Sequence, residues 1–211
     1  MSNQTFSNGL TLTSTANTPP SMETLFQNIT AQIFGYNTTQ PVPTVNNSTN
    51  PYWAVRVAWQ TQGQPAYQIG EDVCIIRATA DDHPFSQCRD MVYNPNDYQS
   101  LNQPMSYTQV WRMHWCHYGP NCFDRCRLLI SAMSLDWVHD WLAPYSIYAV
   151  TEWHRPVYVP ELFDGQWWQR ADVELQFNEL VIENIVVPSA ASVNITLVKE
   201  NGLSETVDVN I

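Results

Sequence analysis

Tyr107-Thr108-Gln109-Val110-Trp111-Arg112-Met113-His114-Trp115-Cys116-His117-Tyr118-Gly119-Pro120-Asn121 changes its period at its end, and that change decides the fold. From Tyr107 to Tyr118 the residues alternate. Trp111, Met113, Trp115 and His117 fall on one face of an extended strand, and Val110, Arg112, His114 and Cys116 on the other. Gly119-Pro120 ends the strand, and Asn121 is a residue type that caps helices. Phe123, Cys126, Ile130, Met133 and Trp137 then recur at helical spacing, with Asp124, Arg125, Arg127 and Ser131 opposite. The pattern predicts a helix that continues or kinks to Leu142 and stops before Pro144.

The same reading extends outward. Ala171, Val173, Leu175 and Phe177 alternate with Asp172, Glu174, Gln176 and Asn178, the cleanest strand of the chain, followed by a short apolar run Ile185-Val186-Val187. Tyr145 to Trp153 also reads as a strand, as do Trp53 to Trp59 and Val73 to Ala78. Met22, Leu25, Phe26, Ile29 and Ile33 predict a helix capped by Ser21, running to about Phe34 and stopped by Gly35. Residues 36–51 hold Pro41, Pro43 and Pro51 and read as a linker or long loop; residues 81–106 read as an irregular excursion. Val193 to Glu200 and Leu203 to Val209, joined by Asn201-Gly202, predict a hairpin with a type I′ turn. The expected fold is α+β: a mixed, largely antiparallel sheet with two main flanking helices. An extended N-terminal arm without its own core (residues 1–20) precedes the domain (21–182), and a C-terminal β extension follows it (183–211).

Composition narrows the function classes. Charged residues make up only 14% of the chain and aromatics 12%, including nine Trp, a balance found in interface cores and also in sugar-binding surfaces. The net charge of −11 argues against a protein that grips DNA, because binding phosphates takes cations. It does suit a wall past which DNA slides without being held. The first residues, Met1-Ser2-Asn3-Gln4-Thr5-Phe6, show no basic start or apolar run of the signal-peptide kind, and no segment is apolar for long enough to cross a bilayer. The expectation is cytosolic synthesis with no membrane partner, where reduced thiols are the default.

Two clusters invite chemistry. Cys116, Cys122 and Cys126 lie close in sequence, with His114 and His117 alongside and Cys74 and Cys88 elsewhere. Buried inert thiols, disulfides (including links between subunits) and a metal site all remain open, although the spacing is not that of a standard zinc ribbon or finger. In Pro160-Glu161-Leu162-Phe163-Asp164-Gly165-Gln166-Trp167-Trp168-Gln169-Arg170-Ala171-Asp172, Glu161 and Asp164 beside two Trp could be a glycosidase pair with a stacking platform. The simpler reading makes Asp164-Gly165 a turn, Glu161 a solvated side chain, and Arg170 with Asp172 a salt bridge on one strand face. No nucleophile triad, phosphate loop or dinucleotide fingerprint is present. No catalytic residue and no cofactor are expected.

Trp111, Trp115-Cys116-His117-Tyr118-Gly119-Pro120-Asn121 and the helix after them, followed by Pro160-Glu161-Leu162, Gly165, Trp167, Arg170, Asp172 and a strand ending at Phe177-Asn178, resemble the phage neck and tail-terminator proteins over roughly residues 21–182. The resemblance implies a structural virion protein, not an enzyme. It implies a homo-oligomeric ring, usually a hexamer, that caps the head-proximal end of a tail tube and joins tail to neck. Its partners would be the tail tube protein, a connector or head-completion protein, and a sheath protein where one exists, with DNA passing through the lumen. On this reading the chain is made in the host cytoplasm and resides in the virion. Pro160, Glu161, Leu162, Gly165, Trp167, Trp168, Arg170 and Asp172 become candidates for a subunit or ring–ring contact. A head-completion or stopper protein is the alternative within the class; a carbohydrate-binding tail module or a zinc domain lies outside it.

Overall fold

The computed structural model describes residues 2–6, 10–35, 55–58, 67–91, 101–187, 192–198 and 204–210. In chain order, β1 (Ser2–Thr5) and β2 (Thr11–Ser14) precede helix α1 (Pro19–Ile33). Strands β3 (Val55–Val57) and β4 (Val73–Asp81), the one-turn helix α2 (Pro84–Gln87) and β5 (Asp90–Met91) lead to the long strand β6 (Leu101–Tyr118). Helices α3 (Cys122–Met133) and α4 (Asp136–Leu142) follow, then β7 (Ile147–Ala149), β8 (Val157–Tyr158), β9 (Glu161–Phe163) and β10 (Gln166–Trp168). A second long strand, β11 (Arg170–Val187), is followed by β12 (Ser192–Val198) and β13 (Ser204–Asn210). The chain divides into two units: Asn17–Cys88 with Tyr107–Val181, and Met1–Ala16 with Arg89–Ser106 and Ile182–Ile211.

The larger unit is a sheet with helices on one face. β3 lies parallel to β4, β4 antiparallel to β6, and β11 neighbours β6 while taking β7 and β8 antiparallel. The fold is therefore α+β with a mixed, largely antiparallel sheet, as the periodicity predicts. The inward face of β6 (Trp111, Met113, Trp115) and that of β11 (Ala171, Val173, Leu175, Phe177) share one core with Met22, Phe26 and Ile29 of α1 and Cys126, Leu129 and Met133 of α3. At its centre Phe26 sits 4.5 Å from Phe177 and 5.8 Å from Trp115, ring to ring. The Trp115 indole N–H donates to Thr30 Oγ1 at 3.0 Å, so the largest core side chain buries no orphan donor. Each such side chain contributes about 1.5–3 kcal/mol by burial. Polar anchors seat α1 on the strands: Ala78 N–H donates to Glu23 Oε1, and Gln27 Nε2 to the Val55 carbonyl.

Several boundaries differ from expectation. Helix α1 begins at Pro19 with Thr18 as its cap, not at Ser21. Ser21 is the third helical residue and returns a bond to the Thr18 backbone, a capping box; Pro19 and Pro20 fit the first turn because those positions need no N–H partner. Helix α3 buries Cys122, Cys126, Leu129 and Met133, whereas Phe123 and Trp137 of the predicted stripe are each 41% exposed. Asn121 occupies the cap position without a side-chain bond to α3; its N–H and its side-chain amide both donate to Asp72, at 3.0 and 2.8 Å. Tyr145 to Trp153 yields only the three residues of β7, since a 3-10 turn at Ala143–Tyr145 and a left-handed Ser146 (φ 57°) take up its start. β6 starts at Leu101, inside the predicted excursion, and Ile185-Val186-Val187 continues β11 without a break.

In the smaller unit, β1 and β2 form an antiparallel pair, and β2 pairs with Glu183 to Val186 of β11. Residues 2–5 and 11–14 of the extended N-terminal segment are thus strands. A strand edge satisfies the backbone groups of this Thr-rich, apolar-poor segment, which lacks the alternation that would announce it. β5 pairs with β6 at Asp90↔Ser106, and β12 with β13 from Ser192↔Asn210 to Val198↔Ser204. The Asn201-Gly202 turn, the 36–51 linker, Trp53 and Trp59 lie outside the described residues.

Candidate assembly surface

β9 and β10 form a hairpin closed by Asp164-Gly165, with φ of 50° and 72°. Two consecutive positive φ angles make a type I′ turn, which Asp-Gly adopts readily and which matches the strand twist. The turn reading of these residues is the one the structure shows. Leu162 stands opposite Trp167, and Glu161 opposite Trp168. Leu162, Phe163 and Trp167 are 58%, 64% and 66% exposed, and Val157, Tyr158 and Val159 beside them are also exposed.

The two tryptophans part company. Trp167 faces out. Trp168 is half-buried and meets Tyr67 edge-on at 5.4 Å, while Tyr67 packs on Tyr118 at 5.7 Å and takes the Arg56 guanidinium over its ring at 5.2 Å. Tyr67 and the buried Arg56 were not predicted. No short-range signal marks them, since Arg56 sits in an alternating strand whose polar face the fold happens to cover.

Beneath the hairpin runs a ladder of charge on the outward face of the sheet. Arg112 donates to Asp81 at 2.7 Å and pairs with Glu174 at 3.2 Å. Glu174 lies 3.4 Å from His114, and His114 lies 3.8 Å from Asp172. Arg170 grips Asp172 with two bonds of 2.8 Å and reaches Glu161 at 3.3 Å, and Tyr118 O–H donates to Glu161 at 2.9 Å. The predicted Arg170–Asp172 salt bridge is thus formed within the chain. Its fork geometry is the strong form of such a pair.

The electrostatics follow. Asp172, and then Cys116, raise His114 to about 10 against the opposing effect of burial; at 3.8 Å the carboxylate acts by attraction more than by a formed hydrogen bond. Burial alone would raise Asp172, yet His114 and Arg170 outweigh it and hold it at about 2. Burial, then the bond to Glu161, pushes the Tyr118 phenol up.

The structure joins some predicted residues and separates others. Glu161, Arg170 and Asp172 form one network, and Gly119 N–H donates to the Gln169 carbonyl at 3.1 Å, so the Tyr118–Asn121 turn and the Pro160–Asp172 segment meet. Gly119 has φ +104°, and a Cβ there would lie 2.5 Å from Asp72 Oδ1 and 2.6 Å from the Glu71 carbonyl, so only glycine fits. Glu161 already serves Tyr118 and Arg170, whereas Asp164 stands at the turn with no side-chain partner among the described residues.

The cysteine cluster disperses. Strand alternation and the helix turn send His117, Cys122 and Cys126 to the core side, and Cys74 is buried beside His117 Nε2 at 3.7 Å. Burial pushes the Cys74, Cys122 and Cys126 thiols up. All five cysteines are free thiols, and Cys88 is the exposed one. The donor atoms that do gather, within 4.8 Å of one another, are those of His114, Cys116 and Asp172. Arg170 brings positive charge to that spot, 3.5 Å from Cys116 Sγ.

Among the described residues no helix is long and apolar enough to cross a membrane. No curated protein matches the chain. Residues 21–201 match the family model described as phage neck terminator protein. That span contains the strand, turn, helix and hairpin described above, and the chain belongs to the phage neck terminator family, a structural protein of the virion.

Proposed function

We propose that the chain forms a cyclic ring, a hexamer, which caps the head-proximal end of the tail tube and joins it to the neck. The reading is carried by the hairpin: Val157, Tyr158, Val159, Leu162, Phe163 and Trp167 are uncovered, on a strand pair held from below by Glu161, Arg170 and Asp172. A rigid apolar surface of this kind, in a chain of this family, is a contact waiting for another protein. One face of the ring engages the last layer of tube and the opposite face engages the connector or head-completion protein. A sheath protein joins this contact in a contractile tail. DNA passes through the lumen unbound, and the net charge of −11 keeps the wall from holding phosphate. A covalent link between subunits would use Cys88, the exposed thiol.

The mass of the assembled protein tests this. Six copies of the 24.2 kDa chain give about 145 kDa by analytical ultracentrifugation, alone or recovered on purified tail tubes. Trp167→Ala should weaken assembly by roughly tenfold or more while leaving the melting temperature near that of the parent. Normal assembly by this variant would remove the hairpin from the contact.

A further inference from the structure

The outward face of β6 and β11 holds one constellation that the assembly reading leaves unused. His114 and Cys116 are two residues apart on β6, so strand alternation sets them on one face, and Asp172 joins them from β11. One donor atom from each lies within 4.8 Å of the other two. Among the described residues no other set of His, Cys, Asp and Glu donors gathers so closely. His114 Nε2 and Asp172 Oδ2 are 3.8 Å apart. Ligand atoms of a tetrahedral zinc ion stand about 3.3–3.6 Å from one another, given bonds of about 2.0–2.3 Å. Small side-chain rotations close that difference.

The surroundings supply what such a centre needs. Glu174 lies 3.4 Å from His114 Nδ1, where it holds the ring with Nε2 toward the other two donors. Charge points the same way. The ladder sets four carboxylates, Asp81, Glu174, Asp172 and Glu161, against two guanidiniums, Arg112 and Arg170. It is short of two positive charges, and a proton on His114 supplies only one. Arg170 is the rival for the spot, with Nη2 3.5 Å from Cys116 Sγ. It has other partners: with Nη2 released, Nε keeps Asp172 Oδ1 at 2.8 Å, Nη1 keeps Glu161 at 3.3 Å, and the guanidinium stays over the Tyr118 ring. Asp172 can then bridge Arg170 and a metal ion, one oxygen to each.

We propose that His114 Nε2, Cys116 Sγ and Asp172 Oδ2 bind a zinc ion, with water as the fourth ligand. An imidazole, a thiolate and a carboxylate make a zinc donor set, whereas magnesium and calcium take oxygen ligands. Binding releases two protons, one from the His114 imidazolium and one from the Cys116 thiol. The metal-free chain keeps the ion-pair ladder described above. The site is built within one chain and does not depend on the ring reading.

The test uses the full chain, stripped with a chelator and kept reduced. Co2+ is the spectroscopic probe, and Zn2+ affinity is measured by isothermal titration calorimetry. Co2+ should give a thiolate-to-metal charge-transfer band and the intense visible bands of tetrahedral coordination, and one equivalent of Zn2+ should remove them. Zn2+ should bind with a Kd of about 10 µM or tighter. Cys116→Ser and His114→Gln should each weaken Zn2+ binding roughly hundredfold, and Cys116→Ser should erase the charge-transfer band. Cys88→Ser, which removes the exposed thiol, should bind like the parent. Circular dichroism shows which variants are folded; should Cys116→Ser fail to fold, His114→Gln decides by its loss of affinity. A parent without the charge-transfer band, a weaker Kd, a band that survives Cys116→Ser, or unchanged affinity in His114→Gln overturns the inference. The ring reading is judged separately, by assembled mass.

Discussion

The two faces of β6 are built from neighbouring residues of one strand, yet they hold the protein together by opposite means. Trp111, Met113, Trp115 and His117 are buried against helices; Arg112, His114, Cys116 and Tyr118 face outward into a ladder of ion pairs and hydrogen bonds. His114 and His117 show the contrast most sharply. Burial, aided by Arg125, holds His117 down to about 3, while carboxylate and thiol neighbours raise His114 to about 10. Near neutral pH the same side chain, three residues along, is held neutral on one face and cationic on the other. What the environment supplies, low dielectric or a paired anion, outweighs the residue type.

The comparison can be broken first on the inner face. Trp115→Ala should cost about 3–5 kcal/mol in urea denaturation, because it opens a cavity between Phe26 and Phe177 and leaves the Thr30 hydroxyl unpaired. Next comes pH. Below 6.5 the unfolded chain protonates His117 while the fold resists it down to about 3, so stability should fall with pH across that window by up to about 1.4 kcal/mol per pH unit. His114 has the reverse sign. Its contribution is complete below 6.5 and lost as pH rises toward 10. Urea midpoints from pH 4 to 9 should show the acid limb flatten in His117→Leu and the alkaline limb flatten in His114→Gln. Equal limbs in parent and variants would void the contrast.

Asp172→Asn strikes the outer face at its centre and should cost about 1–2 kcal/mol, since Arg170 keeps Glu161 as a partner. The same variant should lower the His114 titration point by NMR, with a smaller drop at His117, which Asp172 also raises. Glu161→Gln is the mildest change. Its carboxylate is half-exposed, and the loss should stay below about 1 kcal/mol by melting temperature.

The sheet was legible because β6 and β11 are buried on one face only, so a two-residue period survives in their sequences. Helix α3 was harder. Cys122, Phe123, Cys126, Leu128, Leu129, Ile130 and Met133 place apolar groups around much of its circumference, and spacing alone does not say which side meets the core. The stripe through Phe123 and Trp137 therefore came out rotated, and those two side chains became part of the exposed surface. At the hairpin, the Asp164-Gly165 turn and the Arg170–Asp172 pair could be read directly, being local. The division of labour between Trp167 and Trp168 could not, because it depends on Tyr67, about a hundred residues away in the chain. The gathering of His114 with Asp172 escaped for the same reason: it requires the registry of two strands.

Glu179 closes the larger unit in a way that bears on how the chain folds. Its carboxylate is 1% exposed and accepts from the Trp111 indole at 2.6 Å, the Asn17 N–H at 2.9 Å and the Asn17 side chain at 2.8 Å. Those donors lie 68 and 162 residues away along the chain. With either donor missing, part of this buried carboxylate would go unpaired, and burying an unpaired polar group is costly. One side chain of β11 thus ties the docking of β6 to that of the segment before α1.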